Sequence, residues 1–414
     1  MKQYIELIRK YSKENYLQMT REPDGILKYP FVVPGSQSYS DSLWDWDSWL
    51  ANIAIRQIME DNGDSNQDFF EYEKGCILNF LEHTTAEGKM PIFITPKTML
   101  PEMDDRSESN IHKPCIAQHA AFIIGENGGE CGWIRPYFSK LERYIDYYMN
   151  HMRHKETGLF FWQNDMAVGV DNDPSIFYRP DKSSASIYLN CMMYKELMAM
   201  AYLCKLLGIH ADKYQSEAEQ LKSAVQEHLW DERNGFYYSA DLNLKPIDKN
   251  QWLHSGMPRH WHCLIQRIDG WSGFMAMWAG IATKEQAERM VKENLLKPEL
   301  FNGQYGIRTL AKTEKMYCNV KSGNPSCWLG PVWGISNYMC YRGLMNYGFL
   351  EEAKELAQKT IKLFGQDLEK CGEFHEYYHP DTGEGINNPG FQNWNLLVNN
   401  MIAELEGKRV VVEF

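Results

Sequence analysis

A chain of 414 residues with 44% hydrophobic and 13% aromatic content can bury a large core, which excludes a disordered or fibrous protein. A net charge of -12, with no lysine-rich block, speaks against attraction to nucleic acid or to an anionic membrane. The expected partner is a small, uncharged or weakly charged molecule.

The ten cysteines are scattered, without a Cys-x-x-Cys pair, and read as buried thiols of a reducing compartment. Residues 1–10 alternate charged and apolar groups where a secretory leader needs an unbroken apolar stretch, so a cytoplasmic location is expected. Among the longest apolar runs, Phe274 to Ala282 is less than half of the roughly 20 residues a membrane-spanning helix requires. No transmembrane segment is expected.

In chain order, the first dense feature is Pro34 to Trp49, with three tryptophans and three aspartates within its last nine residues. An indole stacks on the apolar face of a pyranose, and ionised carboxylates accept its hydroxyls. The structural alternative is a helix start capped by Asp45 or Asp47. Next come a glycine turn at Ala86 to Pro91, an amphipathic helix over Leu141 to Met152, and a second glycine turn at Lys155 to Phe161. Ala167 to Ser175 follows as a loop in which Gly169 and Pro174 bracket Asp171, a pattern that by itself is an ordinary turn.

Helical spacing returns over Met192 to Leu207 and Tyr214 to Leu229. A glycine hairpin at Asp231 to Tyr238 leads to further helical segments at Trp271–Leu296, Val332–Tyr347, Glu351–Phe364 and Trp394–Leu405. The stretch Trp328 to Tyr338 runs from loop into helix, and Trp328 and Trp333 could wall a cavity. Gly372 to Gly385 is aromatic and acidic, with a Pro-Asp-Thr-Gly turn. Glu373 and Glu376 lie three apart, so in an extended segment only one of them faces a given side.

This succession predicts an all-α protein, about 60% helical with ~12 principal helices, in which six helical hairpins close into a toroid with short β-hairpins in the loops. With no linker rich in proline or serine, residues 1–414 read as one domain. Loops at one end of the ring would carry the pocket.

Taken in order, Trp44-Asp-Trp-Asp47, Lys113-Pro114, Gly169-Val-Asp171-Asn-Asp-Pro174, Gly330-Pro-Val-Trp333 with Asn337-Tyr338, and Glu376 through Gly383 resemble glycoside hydrolase family 63 and its relatives, the trehalases. The resemblance implies an (α/α)6 barrel that hydrolyses α-glycosidic bonds with inversion. It implies Asp171 as general acid, Glu376 as general base, and Asp47 with Trp44 and Trp46 at the sugar. Substrate contacts are further expected from Tyr39, Lys113, Gln118, Asp173 and Arg308, and from Trp328, Trp333, Tyr377 and Trp394.

The chain has Asp173 where the family usually has serine, a second acid that could raise the pKa of the proton donor or bind substrate. Short chains of this type look most like the branch acting on glucosylglycerate or mannosylglycerate, for which Arg308 or Arg259 could supply a cation. A trehalase-like α-glucosidase is the alternative within the family. A sugar epimerase would use His260 and His262 as bases, and a sugar-binding scaffold would show no converging acids. No cofactor or metal is expected, and oligomeric state is left open.

Overall fold

The computed structural model describes residues 1–64, 69–100, 109–248, 250–253, 255–257, 259–321 and 323–414. In chain order the α-helices among them are α1 (Lys2–Asn15), α2 (Asp45–Asn62), α3 (Phe69–Glu82), α4 (Ile116–Glu126), α5 (Phe138–His151) and α6 (Ile187–Leu207). They continue with α7 (Asp212–His228), α8 (Met275–Trp278), α9 (Lys284–Arg289), α10 (Gly334–Asn346), α11 (Leu350–Cys371) and α12 (Val398–Leu405). The strands among the described residues are two residues long and pair antiparallel in the connecting loops.

About half of the chain is helical, less than the sequence suggested, because the described parts of 163–183, 242–270 and 302–331 contain no helix. The helix expected over Trp271–Leu296 is broken. A 3-10 turn, Trp271–Phe274, leads into α8, Gly280 turns the chain at φ 72°, and Thr283 restarts it with a capping box closed by Gln286. A π-helical turn, Met290–Leu295, then extends α9. The segment expected from Trp394 likewise opens as a 3-10 turn, Asn393–Leu397, before α12.

Burial sorts the helices into two kinds. Every residue of α2 from Asp45 to Met59 is buried, and so is every residue of α4 from Ile116 to Ile124. Such helices are enclosed on all sides. By contrast, α7 buries only one stripe, Tyr214, Ala218, Leu221, Ala224 and Val225.

The packing follows the same division. Helix α2 contacts α4, α4 contacts α6, α6 contacts α8, α8 contacts α10, and α10 contacts the 3-10 turn Asn393–Leu397. That turn and α12 return to α2. Helices α3, α7 and α11 lie against α4, α6 and α10, while α1 packs on α11. One apolar cluster runs through these elements from Ile8 to Val411.

Two buried ionic contacts tie the packing together. Arg56 of α2 and Glu73 of α3 form a bidentate pair, with side chains 1% and 0% exposed. Near the other end of the chain, the Glu413 carboxylate accepts hydrogen bonds from Tyr338 Oη (2.7 Å), Trp278 Nε1 (3.0 Å) and Arg342 Nε (3.1 Å). Among the described residues, no helix is long and apolar enough to cross a membrane.

Candidate active site

The first wall of the cleft is built where the strand Leu43–Trp44 runs into α2. Trp44 stacks on Phe93 of the paired strand at 4.4 Å between ring centroids. Asp45 is 1% exposed and accepts the Trp46 N–H at 2.8 Å. A helix does start here, but neither aspartate caps it, because Trp44 holds the N-cap position and Asp45 is the first helical residue. Its carboxylate also holds Lys113 through Nζ, at 3.0 and 3.1 Å, and through the backbone N–H at 2.9 Å. The lysine is thereby fixed in the cleft wall, its Nζ 5.3 Å from the Trp46 ring centre.

Asp47, two residues on, lines the cleft and accepts a hydrogen bond from Asn393 Nδ2. Burial, followed by the negative charge of Asp45, pushes its carboxyl up to about 8. At neutral pH it therefore carries a proton and can donate a hydrogen bond as well as accept one, unlike the ionised acceptor expected from the sequence. The sign for stability follows. The native state keeps a proton that the unfolded chain releases near the ordinary 3.8, so Asp47 makes the protein less stable as pH rises from about 4 to about 8. Asp47→Asn, neutral throughout, should gain melting temperature relative to wild type across that window. A gap that stays constant with pH would refute the shift.

The second wall is the loop carrying Asp171. Gly169 sits at φ +91°, and a Cβ there would lie 2.7 Å from Lys113 Cε and 2.9 Å from Trp46 Cζ2, so the loop comes this close only with glycine. Asn172 Oδ1 accepts the Trp328 N–H at 2.7 Å and ties this loop to the next. Burial raises the Asp171 carboxyl above its ordinary value, against the opposing influence of a Ser326 hydrogen bond and the Lys113 charge.

Tryptophans form the third wall. Trp328 and Trp333 stack at 3.9 Å with planes 9° apart, and Tyr377 stacks behind Trp333 at 4.7 Å. Trp394 closes the base of the cleft against Trp46, 5.3 Å between centroids.

Glu376 also lines the cleft, immediately before the strand Tyr377–Tyr378, which pairs with Val332–Trp333. Its carboxylate accepts three hydrogen bonds, from Tyr39 Oη (3.1 Å), Asn387 Nδ2 (2.9 Å) and Asn388 Nδ2 (2.5 Å). Burial raises its pKa, and these three donors, which favour the anion, oppose the rise. Asn387 and Asn388 adopt φ of 64° and 40°, the left-handed region that asparagine tolerates better than most residues. Glu373 does not line the cleft and lies near Tyr11. Asp47, Asp171 and Glu376 thus line one cleft with Trp44, Trp46, Trp328, Trp333 and Trp394.

Residues 40–394 match the mannosylglycerate hydrolase MGH1-like glycoside hydrolase domain. The chain belongs to this family. The resemblance to glycoside hydrolase family 63 and the trehalases read from the sequence is thus borne out. Mannosylglycerate hydrolase MGH1 of Selaginella moellendorffii is 21% identical over 86% of this chain and 78% of its own length. The probable trehalase of Eremothecium gossypii is 31% identical over 43% of this chain, which spans only 23% of that protein. Among solved structures, the GH63 mannosylglycerate hydrolase of Thermus thermophilus in complex with glucose superposes with a TM-score of 0.70 at 19% identity, covering 94% of this chain and 98% of that one. Neutral trehalase of Saccharomyces cerevisiae gives 0.64 at 16% identity, covering 91% and 73%. At these identities the structures show a shared fold.

Set against the family-derived expectations, Tyr39, Trp44, Trp46, Asp47 and Lys113 line the cleft, as do Asp171, Trp328, Trp333, Glu376 and Trp394. Four expected substrate contacts do not. Arg308 is 4% exposed, and its guanidinium binds Asp381 Oδ1 (3.1 Å) and the Pro298 carbonyl (2.9 Å). Gln118 is fully buried, its amide donating to the Pro114 and Met192 carbonyls and so tying α4 to α6. Asp173 accepts the Ser175 N–H at 2.8 Å and shapes its own turn. Tyr377 is the support behind Trp333, its hydroxyl donating to the Pro325 carbonyl.

Arg259 borders a separate apolar groove, and His260 and His262 line a polar one beside His228. No histidine is among the described residues lining the cleft. The sequence reading did not single out Ser326, Phe391 or the trio Asn387, Asn388 and Asn393. The signal for Asn387 and Asn388 is the affinity of asparagine for left-handed turns in Asn387-Asn-Pro-Gly390, and Phe391 and Asn393 lie in the Gly390-Phe-Gln-Asn-Trp stretch that follows the Glu376 segment.

Proposed function

We propose that this protein is an inverting α-glycosidase of small α-linked mannosides or glucosides, with Asp171 as general acid and Glu376 as general base. The observation that carries the reading is two carboxyl groups on different loops lining one tryptophan-walled cleft, one of them held by three donors suited to an anion. Asp171 gives its proton to the glycosidic oxygen as the bond from C1 to that oxygen breaks. Glu376 takes a proton from the water that attacks C1 from the opposite face. The hexose leaves with inverted configuration, and proton exchange with solvent returns both groups to their starting states. The tryptophans stack on the apolar face of the sugar and Asp47 binds its hydroxyls.

The packing succession supports reading α2, α4, α6, α8, α10 and α12 as the inner ring of an (α/α)6 barrel, with the whole chain as one catalytic domain. Ten cysteines, none in a disulfide, support a reducing, cytoplasmic setting. Mannosylglycerate and glucosylglycerate are the first substrates to test, because the family match spans residues 40–394. Among the described lining residues Lys113 is the one side-chain cation, and its Nζ is already held by both oxygens of Asp45. Trehalose comes second, on the shorter trehalase match.

The decisive experiment offers these sugars and simple α-glucosides to the protein and follows the products by proton NMR. The expected result is free hexose appearing first as the β-anomer. The α-anomer appearing first would overturn inversion, an isomerised sugar would point to an epimerase, and no free sugar from any substrate would overturn the assignment.

A finer test uses Asn388→Gly, which keeps the left-handed backbone and removes one donor to the Glu376 carboxylate. Losing a donor to the anion raises the pKa of Glu376, so the acidic limb of the kcat/KM profile should move to higher pH. An unmoved limb would exclude Glu376 as the group titrating there.

A further inference from the structure

Outside the cleft, a second cluster of reactive side chains sits at the end of α11. Asp367, Cys371 and His375 follow one another at intervals of four. The first two share one face of the last helical turn, and Gly372, at φ 78°, folds the chain back so that His375 meets them. The His375 ring Nδ1 lies 3.0 and 3.1 Å from the two Asp367 oxygens, and its backbone N–H reaches Asp367 Oδ2 at 3.1 Å. Potential ligand atoms of all three residues lie within 4.8 Å of one another.

We propose that Asp367, Cys371 and His375 form a binding site for a divalent transition metal of the zinc type. A thiolate, an imidazole and a carboxylate match the ligand preferences of zinc in kind, and the soft sulfur disfavours magnesium and calcium. These three residues line a groove shared with His379, which is not among the clustered ligand atoms, so the fourth position falls to water. The local charge favours a cation. Glu369 and Glu384 line the same groove, and its Lys370 already faces Glu384 at 3.7 Å. Tyr378 Oη donates to Asp367 Oδ2 at 2.9 Å, an outer contact that orients the carboxylate. Close packing fixes the ring as well, since a Cβ on Gly385 would fall 2.2 Å from His375 Nδ1.

This site stands apart from the sugar cleft, yet His375 directly precedes Glu376, and its carbonyl accepts a 2.7 Å hydrogen bond from Asn395 Nδ2. A bound metal would immobilise the segment that carries the candidate base. The inference does not depend on the glycosidase reading, and its test does not read activity.

The full-length protein, stripped with chelator, is titrated with Co²⁺ and followed by absorption. The expected result is one equivalent of tetrahedral cobalt with a thiolate-to-metal charge-transfer band, displaced by Zn²⁺. Cys371→Ser should remove the band, and His375→Gln should weaken binding by at least about tenfold, with circular dichroism confirming that both variants fold. No band in wild type, or a band that survives in folded Cys371→Ser, would overturn the site. Should His375→Gln fail to fold, Asp367→Asn takes its place, and unchanged cobalt affinity in that variant would overturn the ligand set.

Discussion

Glu376→Gln is expected to lower kcat by about 10²–10⁴-fold, while the variant still binds sugar, because the amide keeps the shape of the carboxylate and loses its capacity to take a proton from water. Asp171→Asn should lower kcat on natural glycosides by a similar factor, for the opposite reason of having no proton to give. A substrate with a leaving group that needs no protonation, such as a glycosyl fluoride, separates the two roles. It should restore much of the turnover of Asp171→Asn and none of that of Glu376→Gln. Restoration in both variants, or in neither, would sink this division of labour. Sugar binding, followed by tryptophan fluorescence, checks that each loss lies in chemistry and not in recognition.

The second large effect concerns stability. Arg56 and Glu73 are paired in a site with almost no exposure. Arg56→Met leaves the Glu73 carboxylate buried with its charge uncompensated, and it should destabilise the protein by about 3–5 kcal/mol. Putting Leu at 73 in the same chain removes the stranded charge, so the double variant should recover most of that loss. Denaturant midpoints of the three proteins test both statements. A single variant as stable as wild type would mean that water reaches the pair, and a double variant no better than the single would mean that packing, not charge, sets the cost.

The sequence was legible where water marks one face of an element. Helices α5, α7 and α11 each bury a stripe and expose the rest, so their apolar residues recur at helical spacing. Helices α2 and α4 are enclosed on all sides and show no such alternation, so periodicity does not mark them, and α2 is suggested only by the possible helix start at Asp45 or Asp47. Residue type marks the tryptophans beside acids at 44–47, whereas Asp171, by pattern alone an ordinary turn, is singled out only through the family resemblance.

Orientation was less legible. Glu376 and Tyr377 are neighbours at the start of a strand, where successive side chains point to opposite sides, so one lines the cleft and the other braces a tryptophan. Arg308 pairs across from Val332, a register that a single chain does not reveal, and its guanidinium is consumed by Asp381 and a carbonyl. Two of the three donors to Glu376, Asn387 and Asn388, sit at positive φ, a consequence of how the loop closes.

The return of α12 and its preceding turn to α2 bears on how the chain is made. Asp47 finds its partner Asn393 across 346 positions of sequence, so during synthesis α2 leaves the ribosome long before the surfaces that enclose it. A helix buried on every side in the folded protein must wait, with its apolar residues uncovered, until the residues around Asn393 have emerged. Contacts of such separation slow folding and leave the growing chain open to aggregation. Production of this protein should therefore respond to chaperone supply and to lower growth temperature, and the cleft should be among the last features to take shape.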